Sequence, residues 1–365
     1  MAVAPPRQRL APDVFRLPVD KIREGYYSDA YFNHTKALLE TEGHRPSVLM
    51  QVFQKHESVL GGIDEALAIL RLCSGERGPD GGWTDGWHAL DVRALHEGDE
   101  IAPMEPVLTI EGDYALFAHL ETVYLGVLAR RTMIMRNVRA VVDAAGGKPI
   151  FYFPARHDHW LVQTGDGWAA HVAGAIGVST DAQASWWGGR GIGTVPHSLI
   201  ATYGGDTVEA SRRFADHFHD EMNITVLVDF ENHSVRTAVA VADALGDKLW
   251  GVRLDTSEHL IDESLLEEMG DFRPTGVNER LVDKVRSALD RAGHPDVRIV
   301  ASGGFDADRI RAFEERGVPV DAYGVGSSLI RGENDFTADV VLVNGKPCAK
   351  AGRRLIVSQR MEKVE

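Results

Sequence analysis

Short apolar runs alternate with helical patterns along the second half of the chain. Each run is followed by polar or glycine-rich residues, as at the end of a strand. The runs lie at 149–153, 175–178, 191–195, 225–228, 249–254, 297–301 and 322–325, and the helical patterns lie at 207–218, 234–245, 278–292 and 307–316. Because strands that alternate with helices form parallel sheets, the pattern predicts an α/β barrel of about seven strands.

The first part of the chain has a different pattern. Helical spacing at 63–72 and 114–143 flanks short strand patterns between 91 and 110, which is typical of an α+β domain. The tail from Asp339 indicates another strand pair, which could return to this domain. A chain of 365 residues exceeds one ordinary core. We therefore expect an N-terminal α+β domain at 1–125, joined by 339–365, and an α/β barrel at 126–338.

Composition and charge restrict the partners. The chain has 39 basic and 54 acidic residues, a net charge of −15, which disfavours nucleic acids and anionic membranes. No run of about 18 apolar residues exists, so no membrane span is expected. Only Cys73 and Cys348 are present, which argues against a disulfide framework and indicates the cytoplasm.

An anionic small molecule would need a site with its own cations and backbone N–H groups. The segment 122–142 is rich in arginine and has no acidic residue. Its arginines are Arg130, Arg131, Arg136 and Arg139. They form either a solvated helix face or the wall of an anion pocket.

Active sites of parallel barrels lie at the carboxyl ends of the strands. The residues that follow the predicted strands are therefore candidates for chemistry. They include Phe153, Arg156, Ser179, Thr180, His197, Asp229, Arg253, Asp255, Ser302, Gly303, Gly304, Gly324, Gly326 and Ser327. The segments 302–304 and 324–328 follow the last two strands, where barrels commonly bind phosphate, and glycine lets backbone N–H groups approach an oxyanion. Tight strand–helix turns would explain the same glycines.

The charged candidates each have two interpretations. His197 is either structural or catalytic, with Asp229 orienting its imidazole. Arg253 and Asp255 point to the same side of a strand, either as a self-satisfied ion pair or as ligands for a ribose hydroxyl, magnesium or an anion.

A metal site is not supported by the histidine spacing. Residues His157, Asp158, His159 and His171 match no zinc pattern. Arg156 is the better candidate in this segment, and Phe153 could stack on a flat ring.

The loop sequences, taken in order, resemble the nicotinate phosphoribosyltransferases, in particular their shorter archaeal and bacterial form. The segments that carry the resemblance are YYSDAYF (26–32), MQVFQK (50–55), FPARHDH (153–159), GVSTDAQA (177–184), GTVPHSLI (193–200), LVDF (227–230), GVRLDT (251–256), ASGGFD (301–306) and YGVGSSL (323–329). The resemblance implies a type II phosphoribosyltransferase fold, an irregular barrel of about seven strands beside an α+β domain that takes in the C-terminal tail.

The resemblance also implies an activity. Nicotinate and 5-phosphoribosyl 1-pyrophosphate would give nicotinate mononucleotide and pyrophosphate in NAD biosynthesis. ATP would be a co-substrate through a phosphohistidine, and Mg²⁺ would be required. A homodimer or higher homo-oligomer with shared active sites would be the working form.

The site residues implied by the resemblance have defined roles. Phe153 would stack on the pyridine ring, and Tyr31 of a partner subunit would cover its other face. Arg156 would face the carboxylate, with Ser179 and Thr180 beside the ring. His197 would be the phosphorylated histidine.

The remaining roles concern the sugar. Asp229 would hold His197, and Arg253 and Asp255 would line the ribose and pyridine region. The 5-phosphate would bind at Ser302, Gly303, Gly304, Gly324, Gly326 and Ser327.

Several features depart from the family pattern: Pro154 stands where glycine is usual, His34 stands where arginine is common, the segment 230–238 lacks the acidic pair expected after the Asp229 strand, and only Cys348 lies where some members carry a zinc-binding cysteine cluster. They leave room for a divergent paralogue that uses another aromatic acid. Quinolinate phosphoribosyltransferase has the same barrel but must bind two carboxylates, which requires more cations. A catalytically silent relative would bind its ligand without releasing pyrophosphate.

Overall fold

The computed structural model describes residues 8–268, 270 and 272–365. Their contacts form two compact units. One unit contains the described residues up to Arg136 together with Gly332–Glu365, and the other contains Asn137–Arg331. Among the residues that the structure describes, no helix is both long enough and apolar enough to cross a membrane.

The helices of the described chain alternate with strands in the second unit, as the sequence pattern predicts. The α-helices are α1 (Val19–Arg23), α2 (Ala30–Glu42), α3 (Ile63–Cys73), α4 (Glu121–Ala144), α5 (Gln163–Ala173), α6 (Asp181–Ala184), α7 (His197–Thr202), α8 (Thr207–Phe218), α9 (Ser234–Leu245), α10 (Glu279–Arg291) and α11 (Ala307–Glu315).

The strands fall into two sets along the chain. Those of the first unit are β1 (Ser47–Phe53), β2 (Ser58–Val59), β3 (Gly75–Arg77), β4 (Trp83–Asp85), β5 (Asp91–Ala94), β6 (Glu100–Ile101), β7 (Leu108–Asp113), β14 (Thr337–Val343), β15 (Lys346–Pro347) and β16 (Glu362–Lys363). Those of the second unit are β8 (Ile150–Tyr152), β9 (Gly177–Val178), β10 (Ile224–Leu227), β11 (Leu249–Leu254), β12 (Arg298–Ala301) and β13 (Ala322–Val325).

The first unit is built on an antiparallel sheet with the order β15-β14-β1-β7-β5-β16. Its central strand β1 pairs with β14 on one side and with β7 on the other. Helix α3 supplies a continuous apolar surface to this core, because Ile63, Ile69 and Leu70 are fully buried. The C-terminal strands therefore belong to the sheet of the N-terminal domain, as expected.

The second unit is built on a parallel sheet with the order β10-β11-β12-β13-β8-β9. The predicted strand at 191–195 is reduced to a single bridge between Val195 and Val226. Its backbone still connects the two edges of the sheet, since the amide of Ile192 donates to the carbonyl of Val178 and that of Val195 to the carbonyl of Thr225. Two glycines in this segment leave little side chain to pack in a regular strand. The predicted fold class is confirmed, with an irregular segment in place of the seventh strand.

Helices α8 to α11 each begin with a side-chain cap. Asp206, His233, Asn278 and Asp306 accept from a backbone N–H in the first turn of these helices. Each cap satisfies one of the unpaired amides at a helix start and so fixes where the chain leaves the preceding loop. The caps therefore fix the end of the loop that precedes each of these four helices.

Candidate active site

The carboxyl ends of the parallel strands surround a cavity of about 810 Å³ in the second unit. Loops after β8, β9, β11, β12 and β13 line it, together with the irregular segment at 191–195. The residues predicted from sequence that line the cavity are Phe153, Arg156, Ser179, His197, Arg253, Asp255, Ser302, Gly303, Gly304, Gly324, Gly326 and Ser327. An aromatic ring, four titratable side chains and the two glycine turns therefore meet at one place.

His197 and Asp229 form a directed pair beside the cavity. His197 is the first residue of α7, and its Nε2 lies 2.9 Å from Oδ1 of Asp229. The Asp229 side chain is 7% exposed and the His197 side chain 41% exposed, so the carboxylate lies behind the ring. This hydrogen bond raises the pKa of His197 above its usual value, against the opposing effect of partial burial. Nε2 is thus the ring nitrogen that binds Asp229.

Arg253, Asp255 and Ser302 form a second network on the cavity wall. Nε of Arg253 donates to Oγ of Ser302 at 2.7 Å, and this oxygen lies 2.7 Å from Oδ1 of Asp255. Nη2 of Arg253 lies 3.4 Å from the same carboxylate oxygen. The two interpretations of this pair are thus compatible, because it is internally satisfied and still lines the cavity.

Phe153 provides a flat apolar surface at the end of β8. Its ring stacks on that of Phe151 with centroids 5.8 Å apart and planes 10° apart. The guanidinium carbon of Arg253 lies 5.1 Å from the Phe153 ring centroid. Gly324 allows this position, because a Cβ there would lie 2.8 Å from Cε2 of Phe153. A planar ligand ring would find its stacking partner here.

The turn after β12 requires glycine for its backbone. Gly303 and Gly304 have φ of +86° and +73°, a region that other residues rarely adopt. Ser328 ties this turn to the one after β13, since its hydroxyl donates to the carbonyl of Phe305 at 2.8 Å. The two glycine turns predicted to bind phosphate are therefore linked directly.

Three predicted residues do not line the cavity. Asp229 is not a lining residue, but it forms a hydrogen bond with His197, which is one. Thr180 is the N-cap of α6, where its Oγ1 accepts from the amide of Gln183 and donates to Oε1 of Gln163. Tyr31 lies on α2 in the first unit, 60% exposed.

The arginine-rich segment at 122–142 contributes no arginine to the residues that line the cavity. Arg131 is buried and pairs with Glu65 at 3.0 Å, and Arg136 donates to the carbonyl of Glu333. None of the four arginines at 130–139 is among the lining residues. Arg131 does not belong to a solvated helix face either, because it is buried and pairs with Glu65 inside the first unit.

Several lining residues were not predicted, among them His157, Glu258 and Arg331. Arg331 follows the turn after β13, and its Nη2 lies 3.2 Å from Oγ of Ser327. Asn137 holds the backbone there by donating to the carbonyls of Leu329 and Arg331. The cations Arg156 and Arg331 lower the pKa of His157, after the larger effect of burial. Arg331 stands two residues beyond the YGVGSSL segment, so an extension of that motif would have found it.

The cavity contains carboxylates but no cluster that would hold a metal alone. Asp255, Glu258 and Asp306 line it. Within the part of the chain that the structure describes, no group of three or more His, Cys, Asp or Glu side chains is arranged as a metal site.

Comparisons with known proteins give a consistent picture. The sequence model of the quinolinate phosphoribosyl transferase N-terminal domain matches residues 29–132. A nicotinate phosphoribosyltransferase of Mycobacterium tuberculosis is 34% identical over 270 residues, which cover 71% of this chain and 55% of that protein. The chain therefore spans about half the length of the curated relatives it matches.

Solved structures extend the similarity to nearly the whole chain. The crystal structure of a nicotinate-nucleotide pyrophosphorylase from Pyrococcus furiosus is 34% identical with a TM-score of 0.77, and the match covers 93% of this chain and 80% of that one. Human nicotinic acid phosphoribosyltransferase is 17% identical with a TM-score of 0.65, over 90% of this chain and 77% of that one. The human protein shows the shared fold alone.

Proposed function

Because the chain belongs to the nicotinate phosphoribosyltransferase family, we propose that it joins nicotinate to 5-phosphoribosyl 1-pyrophosphate for NAD biosynthesis. The products would be nicotinate mononucleotide and pyrophosphate. The single observation that carries the proposal is the convergence of the His197–Asp229 pair, the Phe153 ring and the two glycine turns on one cavity. A flat acid and a sugar phosphate need this combination of surfaces.

The aromatic acid would bind against Phe153. Arg156 would face its carboxylate, and the Ser179 hydroxyl would contact the ring substituent without repelling the negative charge. Stacking holds the pyridine nitrogen near C1 of the ribose, so that the reaction needs little further ordering. Tyr31 would cover the other face of the ring from a second copy of the chain in a homodimer.

The sugar phosphate would bind at the two glycine turns. Backbone N–H groups of Gly303, Gly304 and Gly326 are suited to the 5-phosphate, with the Ser327 hydroxyl beside them. The pyridine nitrogen then bonds to C1, and the C1–O bond breaks with its electron pair leaving on pyrophosphate. Arg253 and Asp255 both line this cavity. The carboxylate would stabilise the positive charge that develops on the ribose, and the guanidinium would stabilise the negative charge on the leaving pyrophosphate.

Mg²⁺ is proposed as a cofactor on the chemistry of the carboxylates present. Asp255, Glu258 and Asp306 are hard oxygen donors on the cavity wall. Mg²⁺ in proteins is usually held by one or two carboxylates together with substrate phosphates, which agrees with the absence of a complete cluster among the described residues. When bound, the ion would neutralise charge on the leaving pyrophosphate.

ATP is proposed as a co-substrate that acts through His197. The free Nδ1 would take the γ-phosphoryl group and release ADP, and water would later hydrolyse the phosphohistidine. Asp229 holds the other nitrogen and so fixes which atom reacts.

We also propose the cytoplasm as the working compartment. Cys73 and Cys348 are both free, which supports the cytoplasm as the working compartment.

Quinolinate is the second candidate substrate. Arg331 adds a second cation to the cavity that Arg156 lines, and the His157 ring adds a hydrogen-bonding group, which a second carboxylate would need. The match to a quinolinate phosphoribosyl transferase domain points the same way.

Pyrophosphate release tests these proposals. The purified chain is given 5-phosphoribosyl 1-pyrophosphate, Mg²⁺ and nicotinate, quinolinate or nicotinamide, each with and without ATP. We expect release with nicotinate, increased by ATP, and little with the other two compounds. Pyrophosphate release with quinolinate and not with nicotinate would favour the second candidate. Tight binding of a substrate without pyrophosphate release would indicate a catalytically silent relative.

A further inference from the structure

Arg309 lies directly behind one of the two glycine turns. It is on α11, and its Nη1 donates to the carbonyl of Gly303 at 2.8 Å while Nη2 donates to the carbonyl of Val277. Its guanidinium carbon lies 4.2 Å from the ring centroid of Phe305, which is buried. Among the described residues, no carboxylate lies within 4 Å of this guanidinium. Its hydrogen bonds are therefore directed to the backbone of the cavity wall.

The bond to Gly303 determines the direction of the next amide. In a planar trans peptide, the C=O and the following N–H point in opposite directions. Since Arg309 holds the Gly303 carbonyl behind the turn, the N–H of Gly304 points the other way. Gly304 lines the cavity and Arg309 is not among the lining residues, so the side of the turn opposite Arg309 is the cavity side.

This peptide would flip easily without such a bond. Gly303 and Gly304 lack side chains, and glycine accepts positive and negative φ about equally well. A flipped peptide would present the Gly303 oxygen to the cavity and would repel an anion. The Arg309 guanidinium behind the turn opposes this flip, because the flip would remove the acceptor of its part-buried Nη1, and a charged donor left without a partner is costly.

The second bond fixes the neighbouring loop. Val277 ends the loop after β11, which carries the lining residues Ser257 and Glu258. A Cβ on Gly276 would lie 3.2 Å from Cα of Glu258, so the two ends of this loop are in contact. One guanidinium thus holds both the glycine turn and the loop beside it.

We propose that Arg309 is a positioning residue that keeps the Gly303–Gly304 peptide oriented for binding the phosphate monoester of the sugar substrate. This inference rests on the proposed function for the identity of the sugar. Beyond that function, the inference names the Arg309 guanidinium as a group that determines phosphate affinity without contacting the phosphate.

The test compares Arg309→Met, Arg309→Lys and the matched control Arg311→Met. Arg311 lies on the same helix, exposed, and pairs with Asp308. We expect Arg309→Met to raise the KM for 5-phosphoribosyl 1-pyrophosphate about ten- to a hundredfold, as for loss of a charged hydrogen bond. The nicotinate KM and the kcat should change less than about threefold. Arg309→Lys, which can hold one carbonyl, should recover part of the loss, and Arg311→Met should match the unmodified chain.

A purely structural role would give a different result. Arg309→Met would then lower the thermal unfolding midpoint and raise both KM values together, and this outcome would overturn the proposal. If Arg309→Met does not fold, the KM values for 5-phosphoribosyl 1-pyrophosphate and nicotinate are compared in Arg309→Lys instead.

Direct binding separates this proposal from the proposed function. Calorimetry with ribose 5-phosphate measures phosphate monoester binding without any turnover. A wild-type chain that binds ribose 5-phosphate but makes no mononucleotide, with the binding lost in Arg309→Met, would retain the role of Arg309 and reject the activity. An active chain whose ribose 5-phosphate affinity is the same in Arg309→Met would reject the role of Arg309. Failure of the wild type to bind ribose 5-phosphate would also reject it.

Discussion

Nε2 of His197 lies 2.9 Å from Oδ1 of Asp229, and this carboxylate raises the pKa of the imidazole. A protonated imidazole cannot accept a phosphoryl group, so ATP-stimulated turnover should rise with pH as His197 loses its proton. In the proposed phosphohistidine mechanism, the carboxylate would therefore determine both which nitrogen reacts and how the reaction depends on pH.

Asp229→Asn should change both properties. Without the carboxylate the pKa of His197 falls, so the acid limb of ATP-stimulated turnover should move to lower pH. The maximal ATP-stimulated rate should fall at least about tenfold, because the imidazole is no longer oriented. His197→Ala is the control, and it should lose ATP stimulation while retaining some ATP-independent synthesis. An acid limb that does not move in Asp229→Asn, or equal loss of both activities in His197→Ala, would contradict this role.

Gly324→Ala should weaken binding of the aromatic acid more than binding of the sugar. The added methyl would lie 2.8 Å from Cε2 of Phe153 and would displace the ring. We expect the nicotinate KM to rise about tenfold, with a smaller change for 5-phosphoribosyl 1-pyrophosphate. Gly126→Ala on α4 is the matched control, since a Cβ there meets nothing within 4 Å and Gly126 is not among the residues that line the cavity. Steady-state kinetics in both substrates checks the prediction, and equal increases in the two KM values would count against it.

Arg156→Ala should raise the nicotinate KM about ten- to a hundredfold, because a charge-assisted hydrogen bond to the carboxylate is lost. Arg236 is a suitable control, as it is an exposed arginine paired with Glu231. An unchanged nicotinate KM in Arg156→Ala would remove this residue from the carboxylate site.

Thr180→Ala should reduce stability and leave substrate binding intact. Thr180 caps α6 with its hydroxyl, and loss of such a cap costs about 1 kcal/mol. Urea unfolding should show this decrease in the free energy of unfolding, with Thr180→Ser close to the unmodified chain. A raised nicotinate KM with unchanged stability would restore the role that the sequence first indicated.

The sequence predicted those elements whose pattern is local. Helices α8 and α9 begin and end where the apolar spacing indicates, because both lie against a sheet and show one apolar face. The segment 191–195 looked like a strand, but its glycines leave it with one bridge. Strand β1 was not identified as a strand, because burial on both faces removes the alternation that marks one.

The sequence predicted those site residues that follow a parallel strand, because the carboxyl ends of such strands meet at one edge of the sheet. His197, Arg253 and Gly303 follow different strands, and parallel topology alone brings them together. The order of residues along the chain does not show where each side chain points. For this reason Arg331 was not predicted as a site residue, and Thr180 was assigned to substrate binding. A threonine after a strand serves equally well as a helix cap.

A crystal structure with nicotinate mononucleotide tests the central claim most directly. We predict the pyridine ring against Phe153, its carboxylate at Arg156, and the phosphate within hydrogen-bonding distance of the Gly304 amide. Product bound elsewhere, or a phosphate remote from both glycine turns, would contradict the account.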